Sequence, residues 1–160
     1  MFSHLLILFL YVLSPSDHGA VKMYNKEYHS NGTLKAEGWM ISGKKANYWY
    51  QYHKNGQLAS KGHYQGNNKS AYWYYYDKNG SLVREGHYNN GIAENWWIFY
   101  DLATQEIRKT QYQNNQKNGF SLIYKKNKLV KVEKYIQNEY KGTWTSIRSF
   151  RRDNPDVKLY

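Results

Sequence analysis

The chain has 160 residues, no cysteine, two prolines, six tryptophans, eighteen tyrosines and a formal net charge of +11. Without cysteine there is no disulfide framework, thiolate metal site, iron–sulfur centre or cysteine nucleophile. An aromatic content of 18% argues against disorder, and the bias toward Tyr, Trp, Gly and Asn points to strands joined by tight turns in a single domain.

At the N-terminus, Leu5 to Leu13 form an unbroken apolar run of nine residues, too short for a bilayer span of ~20. It matches the apolar core of a secretory signal and is followed by the small residues Ser14, Ser16, Gly19 and Ala20. No Lys or Arg precedes it, the first being Lys22. Residues 1–20 are therefore expected to be a signal peptide, with a secreted, periplasmic or cell-envelope destination. A retained membrane anchor, or a cytoplasmic chain, is the alternative.

Repeats organise the rest of the chain. Tyr28, Tyr52, Tyr76, Tyr100 and Tyr124 recur every 24 residues. The same spacing relates Asn31-Gly32, Asn55-Gly56 and Asn79-Gly80, then Leu34, Leu58 and Leu82, then Gly38, Gly62 and Gly86, then Trp49, Trp73 and Trp97. In the fourth copy Leu102-Ala103-Thr104 replaces the Asn-Gly turn, Thr110 replaces the glycine and Ser121 stands in the Trp column. The fifth is one residue short at Asn127-Lys128-Leu129, while Tyr135 and Trp144 keep the nine-residue separation of Tyr64 and Trp73. Five units thus start near 28, 52, 76, 100 and 124 within a repeat domain of residues 21–144. Residues 145–160 form a basic C-terminal cap or tail.

Each unit reads as two short strands, and no stretch keeps a 3.6-residue period. The expected fold is all-β: tandem 24-residue β-hairpin repeats in one elongated antiparallel meander sheet of roughly ten strands. Register is open at this point. A two-residue type I′ loop at Asn79-Gly80 sets Trp73 opposite Gly86, with Leu82 and Tyr88 on the same face. A type I turn at Asp77-Lys78-Asn79-Gly80 with a glycine bulge slips the register by one, joins the tyrosines to the leucine and turns the tryptophans outward.

The string Y-x-x-N-G-x-L-x-x-x-G-x-Y, followed by Trp and a further Tyr, resembles the YwqK-type relatives of MORN repeats, catalogued in bacteria as antitoxins. The resemblance covers about residues 24–144. In that family a glycine usually stands two residues before the Trp; here Asn47, Ala71 and Asn95 occupy the column, with Gly119 and Gly142 as remnants. The resemblance implies a non-catalytic hairpin-repeat protein that binds other proteins or surfaces. Gly38-Trp39 and Trp49-Tyr50 also resemble choline-binding cell-wall repeats, but those are nearer twenty residues and keep Trp where this chain has His63 and His87.

Chemistry finds little support in the spacing. Glu37 and Glu85 fall in one repeat column, where the second unit has Lys61, so no paired carboxylates are implied. His63 and His87 are repeat equivalents without further ligands, and Ser60, Ser70 and Ser81 lack a nucleophile elbow. No enzyme activity, cofactor or metal is expected.

Binding is better motivated. Residues 101–160 carry a surplus of +7, densest at Lys125, Lys126, Lys128, Lys131 and Lys134, with Arg148, Arg151 and Arg152 downstream. Such a strip attracts an anionic envelope surface or an acidic protein; no nucleic-acid motif is present. The second candidate is an aromatic ladder, Trp49, Trp73 and Trp97 or Tyr52, Tyr76 and Tyr100, one column of which faces outward. The leading expectation is an exported scaffold that binds a protein or surface. A carbohydrate-binding envelope module and an antitoxin-type protein that binds a cognate toxin are the alternatives.

Overall fold

A computed structural model describes residues 19–158; the apolar run Leu5–Leu13 lies outside the described residues. Eleven strands follow one another: β1 (Lys22–Tyr28), β2 (Leu34–Ile41), β3 (Lys44–Tyr52), β4 (Leu58–Gln65), β5 (Asn68–Tyr76), β6 (Leu82–Asn89), β7 (Ile92–Asp101), β8 (Glu106–Gln113), β9 (Gln116–Lys125), β10 (Lys128–Ile136) and β11 (Glu139–Trp144). They pair antiparallel in chain order into one open sheet. The expected all-β meander is what forms, with one strand more than anticipated and a short helix, α1 (Ile147–Asp153), after it.

The turns fall into two rows of different chemistry. In one row, Gly80 N–H donates to the Asp77 carbonyl at 3.1 Å and Asp77 N–H to the Ser81 carbonyl at 2.9 Å. With Gly80 at φ +85° this is a type I turn closed by a glycine bulge. A second bulge follows at once: Tyr76 pairs with Leu82 but Tyr75 with Arg84, so Val83 is the extra residue. Two bulges shift the register by two and restore its parity. Trp73 therefore faces Gly86, as the two-residue loop requires, while Leu82 joins Tyr76, as the bulged turn requires.

In the other row both loop residues have positive φ, as at Gly66-Asn67, Asn90-Gly91 and Asn114-Asn115. These are the type I′ turns. They also tie successive hairpins together. Asn67 Oδ1 accepts from Lys45 N–H at 2.7 Å, and Asn67 N–H donates back to the Lys45 carbonyl at 3.0 Å. Asn115 makes the same pair of bonds to Ala93, and Asn138 to Lys117.

Hairpin stacking produces one row of side chains that alternates strictly across the sheet: Gly38, Trp49, Gly62, Trp73, Gly86, Trp97. Each indole lies flat over the glycine of the preceding strand. A Cβ on Gly38, Gly62 or Gly86 would come within 2.6 Å of three indole atoms. Trp49 and Trp73 donate Nε1–H to the carbonyls of Trp39 and His63, at 2.8 and 3.0 Å. Trp97 Nε1 is buried with no partner. The row then changes composition as a pair: Thr110 and Ser121 stand where the next Gly and Trp would be, and their hydroxyls hydrogen-bond at 2.7 Å.

Trp144 departs from this row. Its hairpin has a single extra residue at the bulge, so Thr143 pairs with Glu133 and Trp144 with Val132 on the opposite face. There it packs with Phe120 and with Phe150 of α1, ring centroids 6.4 and 5.4 Å away. Leu122, Val132 and Phe150 are the buried centre of this cluster.

The glycine column two residues before each Trp is explained by backbone. Asn47, Ala71, Asn95 and Gly119 all have positive φ, from +56° to +115°, at the bulges of β3, β5, β7 and β9. Asn tolerates that conformation; for alanine it costs about 1 kcal/mol. Ala71→Gly should therefore stabilise the protein by about 0.5–1 kcal/mol, read as a higher urea midpoint with an unchanged slope.

Candidate functional site

Burial separates the two faces. Trp49, Trp73 and Trp97 are 0%, 0% and 4% exposed, although the sheet is a single layer. Neighbouring side chains form their cover. Tyr64 stands edge-on between Trp49 and Trp73, at 6.0 and 5.0 Å, and Tyr88 between Trp73 and Trp97, at 6.3 and 5.0 Å. Lys45 and Lys69 place their ammonium groups 4.0 and 4.3 Å from the Trp49 and Trp73 rings. These tryptophans are thus a core and not an outward ladder, which corrects their expected place among the binding residues. The glycine row lets them lie down, and burial of this size stabilises each hairpin by a few kcal/mol.

The tyrosine columns carry the exposed face. Directly opposed residues, strand by strand, run Glu37, Tyr50, Lys61, Tyr74, Glu85, Ile98 and Lys109 from β2 to β8. Tyr50 is 37% exposed and Trp96, on the same face, 36%. Beside this row lie Tyr52, Tyr76 and Tyr100, all half-buried. Tyr52 and Tyr100 donate their hydroxyls to Glu37 and Glu85 at 2.8 and 2.6 Å. Lys61 instead sits over Tyr74 and Tyr76, 5.3 and 5.9 Å from the centroids. On the other flank Tyr48 meets His63 edge-on at 4.8 Å and Tyr72 leans on Tyr74 at 5.1 Å. Sequence reasoning singles out Tyr52, Tyr76 and Tyr100 as candidates. It names none of Tyr48, Tyr50, Tyr72 and Tyr74 as binding candidates, although alternation from Tyr52 and Tyr76 assigns them to the same face and the two-residue-loop register groups Tyr74 with Tyr76, Glu85 and His87.

Helix α1 closes the C-terminal end of this tyrosine face. Ser146 caps it by accepting from Ser149 N–H, and Phe150 is driven onto Leu122 and Val132. A helix of this kind has no sustained apolar period to reveal it; its anchor is one phenylalanine.

The basic residues do not gather into one strip. Lys131 pairs with Glu133 at 2.8 Å, in a cluster on the tryptophan face where Glu133 also accepts from Arg108 at 2.7 Å. Lys125 reaches Glu106 at 3.9 Å, and Glu106 also pairs with Arg108 at 3.2 Å; Lys126 lies in the β9–β10 turn and Lys128 stands opposite Lys125. Arg148, Arg151 and Arg152 lie on α1, where Arg152 pairs with Asp153 at 2.8 Å. Lys125, Lys128 and Lys131 thus share the tryptophan face, linked through Glu106, Arg108 and Glu133, while α1 carries the three arginines on the tyrosine face, so the expected strip is split in two.

Among the described residues no three His, Cys, Asp or Glu side chains could share a metal ion, and no helix is long and apolar enough to cross a membrane. No family model matches the chain, and no curated protein is significantly similar to it.

Several protonation equilibria are moved by this packing. Burial, and then the Glu37 hydrogen bond, pushes the Tyr52 phenol well above its usual value; Glu85 does the same for Tyr100. Burial raises Tyr75, whose hydroxyl meets that of Tyr88 at 3.0 Å. Burial, then the charge of Arg84, lowers Lys69 to about 8. Above pH 8 the unfolded chain keeps the Lys69 proton that the native state releases, so stability rises with pH. Above pH 10 the unfolded tyrosines ionise while Tyr52, Tyr75 and Tyr100 stay protonated, so stability falls. Denaturant titrations should show maximal stability near pH 10, and Lys69→Met should remove the rise between pH 8 and 10.

Proposed function

We propose that the chain is a non-enzymatic, exported scaffold of the MORN/YwqK-like type that recognises a protein partner through the tyrosine face of β2–β8. The observation that carries this reading is the division of labour between the faces. One side buries its tryptophans under its own tyrosines and lysines. The other leaves an aromatic field, set with Glu37, Lys61 and Glu85, that no other described residue covers up to the edge of α1. Tyrosine is a favoured interface anchor because a large rigid ring and a polar tip lose little entropy on docking.

The repeat strings that resemble YwqK and MORN units support the same class of function, and the signal-like Leu5–Leu13 run supports export. A carbohydrate module built on the tryptophan ladder is not proposed, because those rings are buried. Recognition by charge alone would need the lysines and arginines of the C-terminal third on one surface, and the lysines of β9 and β10 face away from the arginines of α1.

The immobilised chain should capture a partner from its own cells at low salt, and Tyr74→Ala should abolish that capture while leaving the buried-tryptophan emission unchanged. Capture that survives Tyr74→Ala and Tyr50→Ala alike would overturn this assignment of the face.

A further inference from the structure

The charges on the tyrosine face are ordered. Across β2, β4, β6 and β8 they read Glu37, Lys61, Glu85, Lys109, one strand apart from Tyr50, Tyr74 and Ile98 that fill the positions between. Signs alternate every two strands, about 9.6 Å. In a chain of net charge +11 these four charges sum to zero; on β1, Lys26 stands opposite Glu37, 3.7 Å from its carboxylate.

Such a row is complementary to its own reverse. Reversed about β5, Glu37 meets Lys109, Lys61 meets Glu85, Tyr50 meets Ile98 and Tyr74 meets itself. A two-fold axis lying between two sheets and running along β5 performs that reversal. Centring the axis on β3 or β7 would match only one of the two charge pairs. An axis along the row would set Glu37 on Glu37 and Lys61 on Lys61, which like-charge repulsion forbids. One docking register is therefore singled out.

We propose that the partner on the tyrosine face is a second copy of this chain, seated face to face about a two-fold axis along β5. This rests on the reading of that face as a recognition surface. Two features support the occupant besides charge. Seven strands about 4.8 Å apart and eight to ten residues long offer roughly 800 Å² per copy, the size of a standard specific interface. Aligned sheets about 10 Å apart interdigitate side chains as in a sandwich, which suits alternating rings and charges. The same reversal brings β1 of each copy to β9 of the other, at the edge of α1, where the footprint ends.

The symmetry also supplies the test, because each pair occurs twice. Sedimentation equilibrium on the full chain should give twice the 19.1 kDa chain mass. Lys61→Glu and Glu85→Lys, measured separately, should each raise the dissociation constant by about 100-fold, since each sets like charges opposite one another at two places. An equimolar mixture of the two variants should dimerise again. In the mixed dimer the carboxylate introduced at position 61 of one copy meets the ammonium introduced at position 85 of the other. The native Glu85 of the first copy likewise meets the native Lys61 of the second. Unchanged tryptophan emission shows that each variant is folded. A monomeric wild type, dimers in either variant alone, or a mixture that stays monomeric overturns the proposal. If the wild type is monomeric but Tyr74→Ala still cancels capture of another protein, self-association falls and recognition by the face stands. If capture is also unaffected, both fall.

Discussion

Everything in this molecule depends on an indole lying flat on a glycine. A single-layer sheet has no second layer to bury a core, so its apolar surface must be buried within the layer itself. Gly38, Gly62 and Gly86 leave room for Trp49, Trp73 and Trp97 to lie against the neighbouring strand. The stacked Tyr64 and Tyr88 then close the space between successive indoles. Each unit supplies the wall of the next, which is why an isolated hairpin of this sequence would be marginal and the array is not. Where the pattern ends, glycine and tryptophan disappear together and Thr110 and Ser121 satisfy each other instead.

This interaction also determines which face can recognise anything. Rings that lie down are unavailable to a ligand, while the alternate residues, Tyr50 and Tyr74 among them, stand on the other side, open among the described residues as far as α1. The mixture of carboxylates and lysines between these rings gives the face register as well as area. The bulges beside the type I turns let a glycine-closed turn and a tryptophan-over-glycine row coexist in one hairpin; a second set, where β3, β5 and β7 pair with the preceding strand, puts Asn47, Ala71 and Asn95 at positive φ.

The repeat columns make the hairpin meander legible from the amino acids alone, since Asn-Gly turns and 24-residue spacing have few other solutions. Facing is not legible. Two bulges per turn cancel in parity, and a count of residues between Trp73 and Gly86 cannot distinguish one such path from an unbulged loop. Of the type I′ turns, Asn90-Gly91 carries the Asn-Gly signature, while Gly66-Asn67 and Asn114-Asn115 do not and show only as links. Helix α1 is hidden for another reason: seven residues held by Phe150 and one serine cap leave almost no periodic trace. The basic strip misleads because its arginines ride on α1, on the face opposite Lys125, Lys128 and Lys131.

If tryptophan seated on glycine holds the sheet together, Gly62, in the middle of the row, is the position most sensitive to an added methyl group. Equilibrium urea unfolding of Gly62→Ala should show a loss of about 3 kcal/mol or more, since that methyl group must displace the Trp73 indole it would overlap. A variant within about 0.5 kcal/mol of wild type would refute this dependence, because the indole could then not be resting where the methyl group goes.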